Sequence, residues 1–385
     1  MMFISAVGML SALGNNLDET ADNLRRGVAP GMQPGQQWLI GNKPCWAGQV
    51  TGDLPPVPTS LAAHDTRNNR LLLAALAQIR PEVDAAIARV GRQRVAIVLG
   101  TSTSGVDEGD RHISDGSRPF HYAMQELGDP SRFLAATLGL YGPAYTISTA
   151  CSSSARAVLS GARLIAAGLA DVALVGGADS LSRMPMNGFD SLESLSTRRC
   201  VPFSSERDGI TIGEGAALML LTREPQPVAL LGGGESSDAW HMSAPHPQGE
   251  GAQRAMEMAL RTAQLTPQQI GYINLHGTAT RLNDEIEAGV VQRMFGDSVP
   301  ASSTKHLTGH TLGAAGICEA ALSWLLLIRA LPLPQQDFSQ SPLDSSLPPC
   351  GLLHTGAPLS TPVILSNSFA FGGNNACLIL GRCDE

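Results

Sequence analysis

Four stretches of this 385-residue chain bring together side chains that can do chemistry. In the first, Thr149-Ala150-Cys151-Ser152-Ser153-Ser154, a strand-like run breaks into an Ala/Ser-rich helical pattern with Cys151 at the junction. Free backbone N–H groups and the positive end of a helix dipole at such a junction favour a thiolate. The same N–H groups can hold a developing oxyanion. In the second, a strand delivers His276 to Gly277-Thr278-Ala279-Thr280, with Asp284 following. The two threonine hydroxyls are expected to alternate along an extended stretch, suited to a chain-like polar substrate arm. The third runs from Lys305 through His310, which is expected to open a helix covering 311–330, with Glu319 further on. A helix N-terminus keeps an imidazole neutral, able to hydrogen-bond an enolate; Lys305 and Glu319 are spaced to pair. The fourth, Ala370-Phe371-Gly372-Gly373, permits a close backbone approach that places Phe371 over an apolar channel. A buried structural cysteine is the usual fate of a lone Cys. One Cys and two His at separate strand ends shift the balance toward nucleophilic catalysis on an acyl group. A papain-like protease is disfavoured, because it needs one His plus an Asn.

These pieces need a frame. Hydrophobic residues make up 43% and charged residues 16%, which excludes disorder. Apolar strand-like runs near 95–99, 145–149, 172–175, 216–221, 228–234, 270–275, 362–365 and 376–380 alternate with helical patterns, which reads as an α/β fold. The first of those helices is expected to continue from Cys151 through 170. Two halves with a similar β-rich plan follow, divided at 1–225 and 226–385. The Pro-rich 331–349 reads as a surface loop. Seven scattered cysteines without a C-x-x-C pair argue against disulfides and structural zinc. A net charge of −8 and the absence of basic runs disfavour nucleic acid. No apolar run reaches the length of a membrane span and no signal peptide is evident, so no membrane partner and a cytoplasmic location are expected. Gly232 to Gly234 and Gly176-Gly177 follow strands but match no nucleotide-binding fingerprint. Lys43 and Lys305 are the only lysines, which makes Lys305 conspicuous.

In order along the chain, GMLSALGNNLDETADNLRRG from Gly8, TACSSS from Thr149, ERDGITIGEGA from Glu206, HGTATRLND from His276, KHLTGHTLGAAGICE from Lys305 and NSFAFGGNN from Asn367 resemble the decarboxylating β-ketoacyl-acyl-carrier-protein synthases. That resemblance implies the thiolase fold, two pseudo-repeated halves in αβαβα layers. It implies a Cys-His-His triad of Cys151, His276 and His310, with Lys305 and Glu319 orienting the histidines. It further implies an oxyanion hole from the N–H groups of Cys151 and Phe371, and gating by Phe371, Gly372 and Gly373. Phosphopantetheine contacts fall on Thr278 and Thr280, with Asp284 in support. No cofactor of the enzyme's own is implied, since substrates ride on the phosphopantetheine of acyl carrier protein, the expected partner. Arg67, Arg70, Arg198 and Arg199 are the candidate contacts for that acidic partner. A homodimer is implied, with a heterodimer with a nucleophile-less paralogue as the alternative. The intact Cys151 speaks against a chain-length-factor role, and His310 speaks against thiolase-like transfer to coenzyme A. Ala370 stands where the family usually has Gly, so altered gating is expected. Ser204 replaces a common acidic residue, and the chain is a little short. These departures fit a specialised cluster, such as one making polyenes, as well as housekeeping fatty-acid synthesis.

Overall fold

The computed structural model describes residues 1–383. Ten strands form one continuous sheet: β1 (Met2–Ser11), β2 (Val95–Gly100), β3 (Ala144–Ile147), β4 (Val172–Asp179), β5 (Gly215–Thr222), β6 (Val228–Ser237), β7 (Tyr272–Asn274), β8 (Ala301–Ser302), β9 (Val363–Phe369) and β10 (Asn374–Arg382). Their spatial order is β8-β7-β9-β10-β6-β1-β5-β4-β2-β3. The first five strands are thus arranged 3-2-4-5-1, and the last five repeat that order. The pairing senses repeat too. β2 is parallel to β3 and β4, as β7 is parallel to β8 and β9, and the remaining pairs in each half are antiparallel. A short antiparallel pairing of β1 with β6 joins the halves edge to edge.

Fully buried runs such as Val95-Ala96-Ile97-Val98-Leu99 are apolar at every position because both faces of the sheet are covered. On the outside of the first half lie α1 (Arg67–Ala77) and α2 (Asp129–Leu138). Between the halves, α3 (Ser153–Ala166) packs against α6 (Ala315–Arg329). On the far side, α4 (Glu250–Ala263) covers β6 and β10, with α5 (Arg281–Phe295) against it. This is the αβαβα layering of the thiolase fold.

The central layer demands small residues. A Cβ at Gly316 would lie 2.7 Å from the Ala155 side chain, so α6 approaches α3 that closely only because position 316 is glycine. Contrary to the sequence reading, the apolar stretch Leu312–Arg329 is long enough to cross a membrane, with mean hydropathy 1.5. It is 83% buried within the protein, and its length and apolarity are those of a helix enclosed between the two halves of the fold.

Two boundaries differ from expectation. β3 ends at Ile147, because the chain must turn before Cys151. α3 ends at Ala166, just before the left-handed turn at Gly168. The final strands start and stop within a few residues of the apolar runs, and 331–349 carries no helix or strand, although Leu331 and Leu333 are buried.

Candidate active site

β3 leads into Cys151 through Ala150, which adopts φ 51°. A non-glycine residue there costs of order 1 kcal/mol and persists only when its surroundings enforce it. Ser153 does so: its Oγ donates to the Ala150 carbonyl at 2.6 Å and accepts from the Thr149 N–H at 2.9 Å. The elbow aims the Cys151 thiol at the second half, one turn from the start of α3.

His310 meets it there, Nε2 lying 3.0 Å from Cys151 Sγ. The rings of His276 and His310 stand edge to face, with centroids 5.3 Å apart. The reactive atoms of Cys151, His276 and His310 all lie within 4.8 Å of one another. Their partners assign the tautomers. His310 Nδ1 accepts the Leu312 N–H at 3.1 Å, and Lys305 Nζ lies 3.4 Å from His276 Nδ1. Each Nδ1 is therefore an acceptor, leaving a proton on each Nε2. Two N–H donors converge where the thiol sits.

Burial lowers the pKa of both histidines well below 6.5, aided by the Lys305 charge and, for His276, by the neighbouring His310. His310 lies five residues before α6, separated from it by a single turn at Leu312–Ala314. Leu312 itself takes φ 51°, a strained turn that carries its N–H back to His310.

Lys305 Nζ sits 2.5 Å from Glu319 Oε1, both side chains buried. Lys305 thus orients His276, while the Leu312 backbone orients His310; the sequence reading had given both rings to the ion pair.

The thiol also departs from expectation. Burial is the largest influence and pushes Cys151 up to about 11. Lys305 and the backbone N–H groups of Phe371 and Cys151 itself oppose that shift without overcoming it. Those two amides nevertheless face the sulfur, where an acyl oxyanion would form.

Thr278 and Thr280 line the same cavity of about 270 Å³ as the triad, with Phe189, Phe369 and Phe371. Their hydroxyls do not alternate. Ala279 at φ 66° breaks the extended stretch, and the two Oγ1 atoms meet at 3.0 Å. Asp284 accepts from the Ala279 N–H at 3.2 Å and the Phe203 N–H at 2.8 Å, so it ties two loops together. Burial raises its pKa to about 6. The Phe371 ring packs on Phe189 at 5.3 Å. Gly372 and Gly373 take φ 84° and 77°, conformations that favour glycine, whereas Ala370 is not in that region and accommodates its Cβ. The Gly372 N–H donates to the Met242 carbonyl, and Asp238 N–H to Gly373, which clamps the loop.

The four candidate carrier-protein arginines do not line the cavity. Arg67 is held by the buried Glu214, Arg70 by Asp65, Arg198 by Glu206 and Arg199 by Asp337. Arg281, inside the HGTATRLND motif, does line it and forms no ion pair among the described residues. Two carboxylates were also missed. Glu287 accepts the N–H groups of His276 and Gly277, each at 2.8 Å, and burial raises it to about 7. Asp179 gathers Thr101, Ser102, Thr103 and the Gly313 N–H beside the His310 turn. Glu287 stands three residues after Asp284, a spacing that puts both on one face of α5; Asp179 carried no local signal beyond ending a strand. Ser204 is buried near Arg207, whose counter-charges come instead from Asp344 at 2.6 Å and Asp284 at 3.9 Å.

Known proteins resemble this chain in sequence and in fold. Residues 62–226 match the beta-ketoacyl synthase N-terminal domain and 229–338 its C-terminal domain. The 3-oxoacyl-[acyl-carrier-protein] synthase 2 of Rhizobium meliloti is 38% identical over 72% of this chain and 68% of its own length. The enzyme of that description from Vibrio cholerae is 30% identical over 98% of both. A ketosynthase of Xenorhabdus doucetiae, solved in complex with its chain length factor, is 62% identical with a TM-score of 0.98, covering 99% of this chain and 98% of that one. The chain belongs to the beta-ketoacyl synthase family. It is a β-ketoacyl-acyl-carrier-protein synthase, an acyltransferase that forms carbon–carbon bonds.

Proposed function

We propose that Cys151 carries the growing acyl chain and that His276 and His310 stabilise the enolate of a malonyl unit during decarboxylative condensation. The observation that carries this reading is one thiol met at 3.0 Å by one of two Nε2–H donors. In the first step the Cys151 sulfur attacks an acyl thioester carbonyl, the pantetheine thiolate leaves, and it takes up the proton given up by Cys151. The two inward N–H groups of Cys151 and Phe371 receive the oxyanion. In the second step a malonyl thioester enters along Thr278 and Thr280. Its bond to the carboxylate breaks, carbon dioxide departs, and the electron pair becomes an enolate whose oxygen accepts from both Nε2–H groups. The carbanion attacks the acyl–Cys151 carbonyl, and the tetrahedral intermediate expels the thiolate to give the 3-oxoacyl product. Intact protein incubated with acyl-loaded carrier protein should gain one acyl mass on Cys151, and Cys151→Ala should gain none. An adduct that survives in Cys151→Ala would overturn the assignment. A non-catalytic, chain-length-factor role is not favoured, since the nucleophile and both donors are assembled.

We further infer an acyl carrier protein as donor, operation in the cytoplasm, and a nucleophile-less chain-length-factor subunit as partner, in preference to a second copy. The Xenorhabdus doucetiae ketosynthase, at 62% identity, supports that pairing. The outer edge of β3 is unpaired in the sheet, and Tyr141, three residues before it in the chain, is 75% exposed. Such an edge is normally covered. Native mass spectrometry of the chain with and without that paralogue decides between them; a stable homodimer unchanged by the paralogue would refute the pairing.

A further inference from the structure

The chain that leaves His276 runs outward into the start of α5, and the residues on the way line the Cys151 cavity in order of rising exposure. His276 is 1% exposed and Thr278 6%, Thr280 is half-buried, and Arg281 and Leu282 are exposed. From the reactive end outward the order is therefore imidazole, two hydroxyls, guanidinium. A pantetheine arm bound by its thioester carries its chemistry in a matching order: the sulfur, then amides, then the phosphate that joins it to its carrier.

The Arg281 guanidinium has no ion pair among the described residues; its backbone carbonyl accepts from Arg207 at 3.4 Å. Arg207 itself is spent on Asp344 and Asp284. The other permanently charged residues in the cavity wall, Glu193, Asp208 and Asp238, are acids, so an entering anion meets one cation there. The helix adds to it. Thr280, the N-cap of α5, spends its hydroxyl on Thr278 at 3.0 Å and makes no capping bond. The first-turn residues Arg281, Leu282 and Asn283 all line the cavity, and N–H groups at those positions have no acceptor within a helix. The acid of that turn, Asp284, faces inward on the Ala279 and Phe203 N–H groups. Unspent N–H groups beside a guanidinium favour a phosphate.

We propose that Arg281, with the first turn of α5, holds the phosphate of the arm and makes this site prefer phosphorylated donors. The inference rests on the reading that a pantetheine arm delivers the acyl group to Cys151. Thr278 and Thr280 then meet the middle of the arm, and Arg281 fixes how far it enters by anchoring its outer end.

Two donors test it on the full-length protein, acyl-pantetheine and acyl-phosphopantetheine, thioesters that differ only by the phosphate. Acylation of Cys151 is followed by intact-protein mass. The unaltered protein should use the phosphorylated donor about tenfold better in kcat/KM. Arg281→Gln should cut that preference to under about twofold, with the loss in KM rather than kcat, and Arg281→Lys should keep part of it. Arg281 is exposed, and full acylation of Arg281→Gln by saturating acyl-pantetheine shows that the variant is folded. No phosphate preference in the unaltered protein, or one that survives in Arg281→Gln, overturns the proposal. An adduct from neither donor would instead overturn the acyl–Cys151 reading beneath it, and the proposal with it.

Discussion

The two halves of the sheet share one strand order, yet they do different work at corresponding places. After its third strand, the first half reaches its central helix in five residues, 148–152, and spends them on presenting a single sulfur. After its third strand, the second half takes twelve, 303–314, and the added turn brings Lys305 and His310 to the same spot from the other side. After the fourth strand the contrast reverses. The first half leaves β4 on a long excursion, 180–214, that includes Phe189, whereas the second half closes β9 to β10 with a four-residue turn that presents Phe371. A duplicated frame thus fixes where chain ends converge, and connection length decides what arrives there. The first half gives the nucleophile; the second gives every N–H donor outside the Cys151 elbow.

If that division holds, damage to the second half's long connection should be the most severe. Lys305→Ala leaves Glu319 as a buried unpaired acid and should cost about 3–5 kcal/mol by chemical denaturation. Pairing it with Glu319→Gln should recover much of that loss. A loss under 1 kcal/mol for the single change would mean that the pair is not structural. His310→Ala should slow carbon dioxide release from malonyl thioester by about 10²–10³, while Cys151 still accepts an acyl group. Normal decarboxylation in that variant would remove His310 from the enolate. The first half's sulfur should report its burial through pH. With a thiol at about 11, only the minor thiolate reacts, so alkylation by iodoacetamide should speed up about tenfold per pH unit from 7 to 9. A plateau near pH 7 would show that the amides and Lys305 outweigh burial. Smallest is Ala370→Gly. It frees one backbone position beside Phe371, and should cost under about 1 kcal/mol while accelerating Cys151 acylation no more than about threefold.

Much of this was legible in the chain because catalysis leaves local traces. Cys151 sits where a strand must give way to a helix, and the glycines at 372–373 announce a turn that other residues resist. The histidines could be named, but not their neighbours. His310 looked like the first residue of a helix, since Gly309 and the small residues after it suit one; the Leu312 turn that feeds its Nδ1 depends on a backbone strain that composition does not reveal. The thiol was read as activated, because a helix start is a local property, whereas the burial that opposes it comes from both halves closing together. Glu287 and Asp179 were missed for a related reason. Each satisfies backbone N–H groups of a loop, and such demand appears only once the loop has its shape. The arginines proposed for a carrier protein were chosen by charge alone, and their carboxylate partners lie from 5 to 147 residues away in the chain.

The greasy helix between the two halves has a consequence for how the chain is made. During synthesis the first half emerges complete through residue 222, with α3 in place but nothing yet lying across it. Residues 315–329 arrive roughly a hundred positions later, and until then one face of the new half is an open apolar surface that invites aggregation. The second half expressed alone has the mirror problem, a membrane-like segment with half its cover missing. Neither half is therefore a portable module. Cutting the chain near 225 should give two insoluble fragments, and exchange between relatives is better attempted at the exposed loops than at that midpoint.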